Sequence, residues 1–156
     1  MSNKNHVQFG DASRQAALFE SMMLAAMADG TVTKIEVEEI YRRVFERPEF
    51  HGIHAADLKK AITHAAQRVA EAQDLLHLLP TLAERLPDKA SRELAFGLAA
   101  SVAVADRRAD PRELGILKAL QNAFDLTEAE VASLFEAATD GSAFPATGGD
   151  STAPEQ

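Results

Sequence analysis

Two stretches of this chain are apolar all the way round a helical turn. One is Met22-Met23-Leu24-Ala25-Ala26-Met27-Ala28; the other runs from Leu94 to Ala105 and is broken only by Ser101. A helix without a polar face is stable only when other elements cover it on several sides. The second run is well short of the ~20 residues that cross a bilayer. Both are therefore expected to be core helices of a folded domain. The apolar inventory agrees: 30 Ala and 16 Leu stand against 8 Val and 5 Ile. That balance favours helix over sheet, and no stretch alternates with the period of a half-buried strand. The fold class read from the sequence is all-α, in a single domain.

Around these runs, caps and breakers divide the chain into about seven helices. The first spans Asp11 or Ser13 to Ala28 and stops at Asp29-Gly30-Thr31-Val32, where Gly30 suits a left-handed helix end. A second opens on the capping box Thr33-Lys34-Ile35-Glu36, carries Val37, Ile40, Tyr41 and Val44, and ends before Pro48. The third, Ala55 to Ala72, shows the stripe Leu58, Ile62, Ala65 and Val69. From Gln73 to Leu86, Pro80 predicts either a kink or two short helices. Asp88 caps the second core helix, and Asp110-Pro111 opens a helix displaying Leu114, Leu117, Leu120 and Phe124. Thr127-Glu128-Ala129-Glu130 caps the last helix, with Val131, Leu134 and Phe135. Residues 1–11 read as a flexible N-terminus, 12–138 as the domain, and 139–156 as a disordered acidic and polar tail.

The helix–turn–helix at the first core run is written twice. Met27-Ala28-Asp29-Gly30-Thr31-Val32-Thr33-Lys34-Ile35-Glu36-Val37 lies over Val104-Ala105-Asp106-Arg107-Arg108-Ala109-Asp110-Pro111-Arg112-Glu113-Leu114 without a gap. Each copy joins an apolar helix to Ala-Asp, a short turn, a cap residue and a Glu. This predicts two halves related by a pseudo-twofold axis, with the core helices crossing at the centre and comparable turns.

Asp29, Glu36, Asp106 and Glu113 are hard oxygen donors of the kind Ca²⁺ or Mg²⁺ takes, which makes them the candidate metal ligands. The first copy matches the latter half of an EF-hand loop, with Asp29, Gly30, Val32 and Glu36 in register. The first half of such a loop falls on Ala25 and Met27, which argues against a true EF-hand. The alternative reading is structural. A Glu at the third helical position ties back to its cap residue, and an Asp after a helix satisfies turn amides.

At these residues the chain resembles the TerB family of small helical domains from bacterial tellurite-resistance operons. The resemblance rests on Leu24 to Val32 followed by Glu36, and on the echo from Ala105-Asp106 to Glu113. It implies a cytoplasmic, non-enzymatic, stress-response accessory domain that binds a divalent cation through acidic residues. By the same resemblance it would work with the membrane protein TerC and with TerD-like calcium-binding partners. Asp29 and Glu36 carry over directly, Asp106 and Glu113 by the echo, while Arg107 and Arg108 depart from the pattern. A similar domain fronts some J-domain co-chaperones, so a protein-interaction module without metal is the competing expectation.

Other chemistry finds little support. The net charge of -8 opposes nucleic-acid binding, and the absence of Cys removes thiolate sites and nucleophiles and fits a reducing cytoplasm. No secretory h-region follows Met1, so no direct membrane insertion is expected. Of the histidines at 6, 51, 54, 64 and 77, His51 and His54 could give two zinc ligands but lack a third. No nucleophile elbow or phosphate loop is present, and no enzyme is expected. Met22, Met23 and Met27 read as packing, Lys59-Lys60 with Arg68 as a solvated face, and Arg42, Arg43 and Arg47 as partners of a helix dipole.

Overall fold

The computed structural model describes residues 12–28, 34–50, 52–72, 74, 77–105 and 111–140, leaving aside the side chains at 12–13, 34–36, 49 and 105. Within them are seven α-helices and no strand: α1 (Ala12–Ala26), α2 (Lys34–Phe45), α3 (Ala55–Glu71), α4 (Leu78–Arg85), α5 (Lys89–Ala105), α6 (Pro111–Phe124) and α7 (Glu128–Asp140). A 3₁₀ turn, Pro48–Phe50, joins α2 towards α3. No described helix is long and apolar enough to cross a membrane.

The two apolar helices make the centre. α1 and α5 share the most extensive contact in the molecule; α3, α4 and α6 also pack on α1, and α6 and α7 on α5. Leu18, Phe19, Met22, Met23 and Leu24 of α1, and Ala95, Leu98, Ala99 and Ala100 of α5, are sealed from solvent. The methionines are core filler, as expected. Phe19 meets Phe50 of the 3₁₀ turn at 5.6 Å, and Phe96 meets Phe135 of α7 edge-on at 5.9 Å.

Local chemistry sets the boundaries. Asp88 accepts bonds from the Ser91 backbone N–H at 3.0 Å and the Ser91 hydroxyl at 2.9 Å, which starts α5. Thr127 and Glu130 form a complete capping box: the Thr127 N–H donates to Glu130 at 2.8 Å and the Glu130 N–H to the Thr127 hydroxyl at 3.1 Å. α6 ends in a Schellman-type turn with Asp125 at φ 58° and the Leu126 N–H on the Gln121 carbonyl at 3.0 Å. Arg92 closes α4 by donating to the carbonyls of Leu86 at 2.5 Å and Ala83 at 3.0 Å.

Two expectations change. Pro80 neither kinks nor divides the described helix; it sits in the first turn of α4, where its missing N–H has no intrahelical acceptor to lose. Leu114 does not join the core. It is 49% exposed, and the buried face of α6 is Glu113, Ile116, Leu117, Leu120, Gln121 and Phe124. Leu117, Leu120 and Phe124 are on this face as expected, and Glu113, one residue before Leu114, takes the inward place in the first turn.

Candidate functional site

The acidic turns connect α1 to α2 and α5 to α6, so the packing of α1 on α5 and α6 gathers three of the four helices that bear them. Asp29 and Asp106 lie outside the described residues, and so does the question of whether the two turns face one another. Glu36 falls in the first turn of α2, its side chain likewise outside the description. Glu113 is described. It stands in the first turn of α6 and is only 6% exposed. A carboxylate is seldom so enclosed without chemistry to hold it. Among the described residues, no three His, Asp or Glu side chains stand together as a metal-holding group.

A second buried carboxylate, Glu20, belongs to no motif read from the sequence. It lies inside α1 with no solvent exposure. Arg85 of α4 grips it with both terminal nitrogens, at 2.7 Å to Oε1 and 3.2 Å to Oε2. Arg68 of α3 adds its Nε to Oε2 at 2.6 Å. Both oxygens are thus saturated by charge-assisted bonds, which is how a carboxylate survives in a core. The grip of Arg85 and the contact from Arg68 tie α1, α3 and α4 together at this one carboxylate. The signal was a single ionisable residue in the run Ala16-Ala17-Leu18-Phe19-Glu20-Ser21-Met22. The arginines that answer it are remote in the chain, and no local pattern joins them.

The supposed basic face of α3 is largely engaged. Lys59 pairs with Glu38 of α2 at 2.8 Å and stands 5.9 Å from the Tyr41 ring centroid; the bond to Glu38 raises its pKa. Arg42 and Arg43 are exposed in the last turn of α2, as a dipole partner should be, whereas Arg47 is buried. His54 is exposed and makes no side-chain cap for α3; His6 and His51 lie outside the described residues.

A family model described as tellurite resistance protein TerB matches residues 13–136. The chain belongs to the TerB family. No curated protein and no solved structure matches it. The TerB match runs from the first turn of α1 into the last turn of α7 and includes both helix–turn–helix copies and the Glu20 clamp.

Among the described residues of the TerB domain, a further titratable cluster stands where α5 meets α7. Lys89 contacts Glu130, and Glu93 lies close by. The Lys89 ammonium, with the backbone of Thr127, holds the Glu130 carboxyl below its usual range. Burial, reinforced by the negative charge of Glu130, pushes Glu93 up. On the far side of α7's cap, Glu128 is lowered by its bonds from Gln121 and Lys118. These groups stabilise helix ends, and their shifts follow from that role.

Proposed function

We propose that this TerB protein is a non-enzymatic, cytoplasmic accessory of a metal- or stress-response system. It takes up a hard divalent cation, Ca²⁺ or Mg²⁺, at the acidic turns through Asp29, Glu36, Asp106 and Glu113. The observation that carries the reading is Glu113, an enclosed carboxylate next to the second turn, on a helix packed against the one leading into the first. The four side chains offer only oxygen, which suits a hard cation and not a thiophilic one. A bound cation would neutralise whichever of these carboxylates ligate it. Arg107 and Arg108 compete for the same charge, so the first turn is the stronger half. Partners of the TerC or TerD kind belong to the same reading and follow from the family alone.

A second reading has its own observation. The Thr127–Glu130 box is complete on both sides, so this chain does use a Glu at the third helical position as a cap, here one that also pairs with Lys89. If Glu36 and Glu113 do the same, the domain is an interaction module of the co-chaperone type. Melting of the full chain with Ca²⁺, Mg²⁺ or Mn²⁺ separates the two. The cation reading expects the melting temperature to climb with metal concentration as mass action requires. It expects Glu36→Gln and Glu113→Gln to fold and to lose that climb, since Gln still caps. A melting temperature indifferent to millimolar metal, or a climb that survives both substitutions, leaves the interaction module.

A further inference from the structure

The corner between α2 and α3 carries an open apolar notch of about 420 Å³, lined by Phe45, Glu46, Phe50, Gly52 and Ile53. Phe45 is 42% exposed and stacks on Tyr41 at 5.9 Å; it and Leu114 are the large hydrophobic side chains left exposed among the described residues. One exposed aromatic is ordinary, but one beside a cavity with apolar walls marks a surface built to be covered. We propose that residues 1–11 of this chain fold back as a strap and seat Val7 and Phe9 in this notch.

The path of the chain favours that occupant. α1 runs beside the notch, for Phe19 packs on Phe50, and Gln15, one turn earlier, lines a second hollow that shares Gly52 and Ile53 with it. Continuing towards the N-terminus leads to Ala12 and then directly into the strap. Phe9 precedes Ala12 by three residues, roughly 10 Å of extended chain. From Phe19, which packs on the notch wall Phe50, back to Ala12 the helix rises about 10.5 Å, so Phe9 returns to that level at full extension and Val7, roughly 17 Å out, returns with slack. Val7 and Phe9 are the large apolar residues of a segment otherwise polar after Met1. Charge agrees around Val7 and Phe9: of residues 1–11, Lys4 and His6 stand just before them, the acid Asp11 stands next to α1, and Glu46 is the charged wall of the notch. The other terminal stretch, 141–156, offers Phe144, but it carries Asp150 and Glu155 with no base and leaves from α7, which packs on α5.

The chain has no native cysteine, so one introduced thiol places a spin label cleanly. With the label on Asn5→Cys of the full chain, the strap expects amide signals of Phe45, Glu46, Gly52 and Ile53 to broaden while those of α7 stay sharp. Adding Phe9→Ala should restore most of the lost intensity. Three results overturn the proposal. The first is no selective broadening at the notch. The second is broadening that appears only when labelled chain is mixed with unlabelled, isotope-enriched chain, which means a second copy sits there. The third is notch broadening from a label on Ser151→Cys and not from Asn5→Cys, which assigns the notch to the other end. The unsubstituted Phe9 sample decides by itself, so the test stands even if Phe9→Ala folds poorly.

Discussion

The two helix–turn–helix copies align without a gap, yet their environments differ. Ile40 and Leu117 are both buried at equivalent places, as are Val44 and Gln121. The repeat therefore preserves which side of the second helix faces inwards. The first helices differ more. Glu20 of α1 aligns with Gly97 of α5, so only one copy holds a core carboxylate. Leu24 and Ala25 are sealed, whereas the aligned Ser101 and Val102 are partly exposed. The neighbours explain this. α3 and α4 lie against α1 and bring Arg68 and Arg85, while α5 has α7 instead. A duplicated backbone pattern thus supplies a shared frame, and the elements inserted between the copies decide what each core helix can bury.

The largest test of that contrast is the clamp. Glu20→Ala leaves the Arg85 guanidinium half-enclosed without its anion, and breaking a buried pair from one side costs about 3–5 kcal/mol. Arg68 is more than half exposed, so Arg68→Ala should cost about 1 kcal/mol or less. Urea unfolding of both variants measures the difference. If the two lose equally little, the tie between α1, α3 and α4 contributes nothing and the copies are energetically alike.

How much of this was legible in the sequence depends on how local the cause was. Helix starts at Asp88 and Thr127, and the stripe Leu58, Ile62, Ala65 and Val69, rest on bonds and faces within one or two turns, and they appear as read. The burial of α1 and α5 followed from their having no polar face. On α6, Leu117, Leu120 and Phe124 appear as read and Leu114 alone turns outwards, the inward place in the first turn going to Glu113. Periodicity places the centre of a face more firmly than its edge. The Glu20 clamp was invisible for a stronger reason: its partners lie in α3 and α4, and only tertiary packing brings them together. Of the candidate metal ligands, Glu113 alone has a described side chain, and its enclosure was not implied by its place in a capping pattern.

The α7 cap gives the next effect, and it bears on whether Glu36 and Glu113 behave as caps. Thr127→Ala removes the acceptor for the Glu130 N–H and should cost about 1 kcal/mol. The acid limb is more discriminating. Glu130 is lowered in the folded state, so its contribution is present above the ordinary glutamate value and fades as pH falls through its folded value. Glu93 is raised and acts in the opposite sense, its contribution being lost as pH rises through its folded value. In Glu130→Gln the first contribution disappears and Glu93 loses a repelling neighbour, so stability should vary less across the acid range. Urea midpoints collected from pH 3 to 6, estimated to bracket the carboxylate range, check this. An unchanged acid limb would show that the cap draws nothing from the charge on Glu130.

The smallest effect concerns the outward side of α6, where the copies diverge again: Gly115 occupies the place of Glu38 on α2. A methyl group added at Gly115 meets no atom within 4 Å. Position 115 is inside a helix, so Gly115→Ala should gain about 0.5–1 kcal/mol by restricting the unfolded chain. The gain should appear as a higher urea midpoint at an unchanged slope, because no surface is newly buried. A loss instead would mean that something packs against this side of α6 in solution. With Leu114 exposed next to it, that result would locate a covered face on the second copy, whereas Glu38 on the first is already engaged by Lys59.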